Sequence, residues 1–313
     1  MKRLIRSVIL WTAAICILPS AAARGAMEVT TAQVTEQPAL SFPEDMKIKV
    51  LTEATGQVRE LDIEEYAIYA VLEQIPFILS DEAMKSQVCI ARTYAARQIL
   101  SGEAENGAHI SDNSALYQTA LTENDARAVY GDEFEAAYSA VCKAAKATEG
   151  EIIMYDGCPA SVPFHISSAG VTESAENVWG TPYPYLISVS SDESISEAVF
   201  TEAELFARLS AEYSEASLPV SPEILSQTKS GTVLSARLCG IELDGKRISE
   251  LLSLDSRAFE ISETDGKYAF TVKGTGHLAG MSICGAEQMA QDGSDYREIL
   301  SHYYAGTEIT AIE

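Results

Sequence analysis

Residues 274–286 read Gly-Thr-Gly-His-Leu-Ala-Gly-Met-Ser-Ile-Cys-Gly-Ala, and this run constrains the fold more than any other part of the chain. So much glycine makes sense where backbone must turn with positive φ or approach another group closely. One histidine, His277, sits inside the run, and Glu287, Gln288, Met289 and Ala290 after it read as the start of a helix. Glycine turns ahead of helices are common. The run therefore defines a local geometry and leaves its purpose open.

The chain's 313 residues can bury a sizeable core, as one large domain or two lobes. A net charge of −24 argues against nucleic acid or anionic lipid as partner, because both reward basic patches. The acidity is spread along the sequence, as on a solvated surface. It excludes adhesion to an anionic cell wall by bulk charge, so any wall substrate must be held by specific contacts.

At the N-terminus, Lys2, Arg3 and Arg6 precede an apolar run over residues 8–17, then Leu-Pro-Ser-Ala-Ala-Ala over 18–23. Residues 1–27 thus read as a signal or membrane-anchor segment. The apolar run is short of the ~20 residues that span a bilayer, which points to cleavage. Either way the rest of the chain is exported, with the basic end inside. The six cysteines are Cys16, Cys89, Cys142, Cys158, Cys239 and Cys284. None is spaced as CxxC, and Cys89 and Cys239 fall in apolar patterns that suit buried, inert thiols.

Residues 28–45 read as a polar linker and 46–313 as the folded domain. Residues 46–61 alternate around Gly56 as a hairpin. Asp62 caps a helix with an acidic first turn, which carries Tyr66, Tyr69 and Glu73 and stops before Pro76. A second helix is expected over residues 80–100, with Ser80 as half of a capping box. Further expectations are a helix at 134–148, strands at 151–155 and 162–167, a helix at 201–214 and a strand at 233–241. A short helix at 248–252, a hairpin at 259–272 about Asp265 and Gly266, and one C-terminal helix over 284–302 complete the series. Strands alternating with helices make this a mixed α/β (α+β) chain.

Two carboxylates suit glycan cleavage, in which an acid of raised pKa protonates the glycosidic oxygen. Glu73 follows Val71 and Leu72 in apolar surroundings that disfavour its charged form. Glu82 lies in a helix first turn, where the dipole favours the carboxylate. Glu73 is therefore the candidate acid and Glu82 the alternative, while the plain reading of each is a surface or capping glutamate. A nucleophilic Cys89 or Cys284 paired with His277 is a third chemistry.

Several blocks resemble a known family. They are 75–87 (Ile-Pro-Phe-Ile-Leu-Ser-Asp-Glu-Ala-Met-Lys-Ser-Gln), 89–95 (Cys-Ile-Ala-Arg-Thr-Tyr-Ala), 164–176 (Phe-His-Ile-Ser-Ser-Ala-Gly-Val-Thr-Glu-Ser-Ala-Glu) with 178–180 (Val-Trp-Gly), the glycine run, and 296–307. In this order they resemble the stage II sporulation protein D (SpoIID/LytB-domain) family of cell-wall remodelling proteins. The resemblance covers residues 46–310 and implies a two-lobed domain with a glycan-binding groove. It implies a lytic transglycosylase that cuts the β-1,4 bond between N-acetylmuramic acid and N-acetylglucosamine and leaves a 1,6-anhydro ring. Glu73 stands where the family has its glutamate before a Met-Pro pair. It also implies work in sporulation and engulfment on peptide-stripped strands, beside a cell-wall amidase, from a membrane-anchored, extracytoplasmic position. A non-catalytic, glycan-binding modifier of an amidase is the alternative within the family.

Arg92 and Tyr94 match the family block, Arg92 being suited to the lactyl carboxylate and Tyr94 to stacking on a sugar. An internal ion pair is the other reading of Arg92. Ser168, Trp179, His277 and Ser282 complete the expected substrate contacts. Where the family reads Gly-His-Gly-Val-Gly-Met-Ser-Gln-Tyr-Gly-Ala, this chain departs at Leu278, Ala279, Ile283 and Cys284. Family members can hold zinc with a histidine and two cysteines. Here the corresponding region offers His109 and Asp112 but no thiol, so no metal and no cofactor are expected.

Overall fold

The computed structural model describes residues 42, 45–75, 79–104 and 106–312. The signal or anchor segment, most of the linker, and Pro76 with its two successors lie outside the described residues. None of the described helices is long and apolar enough to cross a membrane. The described chain forms two compact units: residues 45–75, 88–161 and 308–312 make one, and 79–87 and 162–307 the other.

In the first unit, strands Lys47–Thr52 and Gln57–Asp62 pair antiparallel about a turn at Gly56, as the alternation predicts. Ile48 and Val50 send their side chains to the buried face, and a parallel pairing adds Ile110–Ser111. Asp62 then caps the helix Ile63–Gln74, accepting from the Glu64 N–H at 2.8 Å. The long helix Asp81–Ser101 follows, its residues 88–101 belonging to this unit. Val88, Cys89, Ile90, Ala91, Ala95 and Ala96 are all buried, which explains its unbroken run of small and apolar residues. The helix Phe134–Ala147 matches expectation, but Glu123–Tyr130 is an additional helix that the polar sequence does not advertise. Only Ala126 of it is buried. Strand Glu151–Tyr155 is flanked by Glu308–Ala311 and by Cys158–Pro159.

The second unit has its core where Ile195–Thr201 and the hairpin Ala258–Thr264 with Lys267–Lys273 form one antiparallel sheet. Phe270 packs there against both Phe200 and Phe259, with ring centroids 5.7 Å away in each case. Helix Glu202–Ser210, held by a Thr201/Glu204 capping box, and helix Gly245–Leu252 pack Leu205, Leu209, Ile248 and Leu252 into the same core. The strand expected at 233–241 is a hairpin, Val233–Leu238 and Ile241–Asp244, because Cys239 and Gly240 both take positive φ. The strand expected at 162–167 is only Phe164–His165, paired in parallel with Met281–Ser282.

Two further expectations change. The C-terminal helix is two helices, Ile283–Gln291 and Tyr296–Tyr303. Gly293 at φ 101° breaks it, and Asp295 starts the second piece with a capping box to Glu298. Ser80 does not cap its helix: its N–H and hydroxyl both donate to Glu287 Oε2 at 2.8 Å.

Candidate functional site

Glu73 lies in the last turn of helix Ile63–Gln74, next to buried Val71, Leu72 and Gln74. It is half-buried, and the Thr119 hydroxyl donates to its Oε1 at 2.5 Å. Burial raises its pKa above the ordinary carboxylate value, and the charge of Asp125 adds to the rise. The Thr119 hydrogen bond and the charge of Arg59 pull the other way. Arg59 is itself tied to the Ala120 carbonyl at 2.6 Å. The segment carrying Thr119 is pinned at Gln118, whose carbonyl accepts from Tyr66 and whose N–H donates to the Tyr94 hydroxyl at 3.2 Å. Tyr94 thus lies beside the Glu73 neighbourhood with its ring half-buried. Arg59, Tyr66 and Thr119 carry no motif, and sequence reasoning missed them.

Glu82 is engaged differently. One oxygen accepts from Lys85 at 2.6 Å and the other from the Tyr296 N–H at 3.0 Å, so it ties a helix start to the start of another helix.

Arg92 corrects an expectation. Its side chain is fully buried at 0 % exposure and gripped by Glu64 in a two-pronged pair, both contacts at 2.7 Å. Its remaining N–H group donates to the Glu151 carbonyl at 2.8 Å. No donor is left at a surface for a substrate carboxylate. The internal pair is the geometry this arginine adopts.

The second unit gathers the other candidates. His165 and His277 lie with ring centroids 5.9 Å apart, and Trp179 meets His277 edge-on at 5.1 Å. His277 Nδ1 accepts from the Ala279 N–H at 3.1 Å, which places its proton on Nε2. His165 Nδ1 donates to the Ala279 carbonyl at 3.2 Å, leaving its Nε2 bare. Both Nε2 atoms are buried without a partner; the Phe164 carbonyl influences the His277 ring without meeting hydrogen-bond geometry. Burial pushes the pKa of His165 down to about 4 and that of His277 down to about 3, so both rings are neutral at pH 7. His165 and Arg257 add to the depression at His277.

Ser282 caps the helix Ile283–Gln291 by accepting from the Gly285 N–H, and its hydroxyl donates to Asp192 at 2.5 Å. Ser168 is fully buried; its N–H donates to the same Asp192 and its hydroxyl to the Val171 carbonyl. Both serines are therefore bound internally, and Asp192, which sequence reasoning missed, joins them. The run's glycines are needed where they stand: a Cβ on Gly280 would collide with the Pro163 carbonyl, and one on Gly285 with the Tyr303 hydroxyl.

Burial pushes the Cys89 and Cys284 thiols up to about 11, the reverse of what a nucleophile needs. Neither thiol is thereby poised as the nucleophile of a cysteine hydrolase. His109 accepts from the Lys49 N–H, and Asp112 from that of Glu53. Among the described residues no group of three histidine, cysteine or acidic side chains is placed to hold a metal ion.

These features define a mixed α/β protein with a sheltered carboxyl group in one unit and a glycine-loop cluster of histidine and tryptophan in the other. Comparison with known proteins identifies it more closely. The family model described as "Stage II sporulation protein" (SpoIID) matches residues 52–155. The chain is 30% identical over 302 residues to "Stage II sporulation protein D" of Bacillus subtilis (strain 168), covering 92% of this chain and 87% of that protein. It is 29% identical over 273 residues to the protein of the same name from Bacillus amyloliquefaciens, covering 85% and 79%. A more distant similarity, 24% over 296 residues, is to the "Amidase enhancer" of Bacillus subtilis, covering 76% of this chain and 39% of that protein. The chain belongs to the stage II sporulation protein D family.

Proposed function

We propose that this protein is a peptidoglycan lytic transglycosylase, with Glu73 acting first as acid and then as base. The observation that carries the reading is the enclosure of Glu73, which favours its protonated form while Thr119 fixes one carboxyl oxygen. Protonated Glu73 gives its proton to the glycosidic oxygen as the bond to C1 of N-acetylmuramic acid breaks. The resulting carboxylate takes the proton from the muramic O6 hydroxyl as O6 bonds to C1. The 1,6-anhydro ring closes, water is not consumed, and Glu73 ends protonated as it began. Arg59 steadies the transient carboxylate through its charge.

On this reading the substrate is the peptide-stripped glycan strand, bound in a groove, and the setting is engulfment during sporulation beside a cell-wall amidase. Export and membrane attachment fall to residues 1–27. A second reading, a non-catalytic glycan binder that assists an amidase, draws support from the relative named amidase enhancer and from the departures at Leu278, Ala279, Ile283 and Cys284.

Digestion of purified, peptide-free strands separates the two. Mass spectrometry is expected to show new fragments ending in anhydro-muramic acid. Strands that bind the protein but stay uncut favour the binder, and fragments with ordinary reducing ends contradict the transglycosylase.

A further inference from the structure

With Arg92 committed to Glu64, recognition of an acidic sugar needs another cation. Arginines elsewhere are engaged, Arg92 and Arg127 by carboxylates and Arg59 and Arg208 by carbonyls. Arg257 is different. It is half-buried, and among the described residues no hydrogen bond or ion pair holds its guanidinium.

Its backbone is nevertheless fixed beside the glycine loop. The Arg257 carbonyl accepts from the Val233 N–H at 2.9 Å, and the Asp255 carbonyl accepts from the Gly276 N–H at 2.9 Å. Between them, Ser256 donates to the Lys273 carbonyl at 2.6 Å. The arginine's charge reaches His277 on this loop, and Trp179 packs edge-on against His277.

Glu173, whose charge acts on Arg257, does not neutralise it by contact. Glu173 is 1 % exposed, and both its oxygens are occupied: one by the Ser174 N–H and Asn177, the other by Thr228 at 2.6 Å. Its charge and that of Asp244 favour the guanidinium through space only. A half-buried guanidinium with no hydrogen-bond partner among the described residues keeps its donors available to a ligand. It suits a ligand that brings a carboxylate and an apolar sugar face together.

We propose that Arg257, on the segment held beside the glycine loop that carries His277, is the subsite for the lactyl carboxylate of a muramic acid residue, with the sugar ring against Trp179, which packs on His277. The proposal rests on the glycan reading given above and assigns the specificity-determining cation within it. The neutral His277 holds the indole edge without adding a second charge. Stem-peptide carboxylates share the chemistry, but they hang on a flexible chain away from the ring. The lactyl group is attached to the ring itself. Peptide attachment turns that carboxylate into an amide and removes its charge, so this subsite would favour stripped strands.

The test compares binding of three purified polymers by calorimetry: peptide-free strands, the same strands with their lactyl carboxylates amidated, and a chito-oligosaccharide without muramic acid. The wild-type protein should bind peptide-free strands about tenfold or more tightly than either of the others. Arg257→Met should lose that preference and keep the chito-oligosaccharide affinity. Should Arg257→Met fold poorly, amidation read on the wild-type protein makes the same measurement from the ligand side. An undiminished preference in Arg257→Met, or amidated strands bound as well as free ones, overturns the subsite while leaving the glycan reading intact. Tighter binding of peptide-bearing strands, abolished by Arg257→Met, overturns the lactyl assignment in favour of stem-peptide carboxylates. If the wild type binds none of the polymers, the glycan reading itself fails, and the subsite with it.

Discussion

At the scale of single residues, the same functional group takes different roles according to what surrounds it. Glu73 and Glu82 are both helix-terminal glutamates, yet one is enclosed beside a hydroxyl and the other is tied to Lys85 and a backbone N–H. Arg92 and Arg257 differ in the same way. Arg92 joins the helix Ile63–Gln74, through Glu64, to strand Glu151–Tyr155, and Glu64 also accepts from the Gly150 N–H at 3.0 Å. Removing the guanidinium would strand the Glu64 carboxylate and the Glu151 carbonyl. Arg92→Met is therefore expected to lower unfolding stability by about 3 kcal/mol, as for other broken buried pairs. Denaturant titration reads this, and a change within error of zero would contradict the structural role.

At the scale of elements, sequence patterns foretold the pieces whose local chemistry is self-sufficient. The hairpin about Gly56, the Asp62 cap, and the hairpin about Asp265 and Gly266 stand as expected, because turn residues and alternation decide them locally. The break at Gly293 was hidden by apolar periodicity that runs through it on both sides. The helix Glu123–Tyr130 was hidden because almost none of its surface is buried. Of the site, Glu73, Trp179 and His277 were legible from their motifs. Thr119, Arg59, Asp192 and Arg257 were not, since each joins its cluster by long-range contact.

One element has a pH signature. The parallel pair Phe164–His165 with Met281–Ser282 and the adjoining glycine loop enclose both histidines as neutral rings. Their folded pKa values, about 4 and about 3, lie below the ~6.5 of an unfolded histidine. The unfolded chain thus takes up protons first as pH falls, and stability present above pH ~6.5 is lost toward the folded values. Because many carboxylates titrate in the same range, the informative quantity is the difference in Tm between the wild type and His277→Gln. The wild type should lose ground to the variant steadily from pH 6.5 to pH 4. A difference independent of pH would show that His277 is not held neutral.

At the scale of the whole molecule, a net charge of −24 works against holding an anionic polymer, so the proposed glycan binding has to draw its affinity from a few placed groups. Family membership spans nearly all of this chain, and with it comes the sporulation context. The proposed catalysis depends on one carboxyl group, that of Glu73. Gln keeps the volume of Glu73 and can still accept from Thr119, but it has no proton to transfer. Burial disfavours the charged form of Glu73, a cost that the amide does not carry, so the variant should be at least as stable as the wild type. The most direct measurement is the release of anhydro-muramic ends from peptide-free strands by wild type and Glu73→Gln at equal concentration. Release is expected to fall by about a hundredfold or more, the order contributed by general acid–base catalysis, with Tm undiminished. Release by Glu73→Gln at the wild-type rate, or its loss in Glu82→Gln instead, would contradict the proposed catalysis.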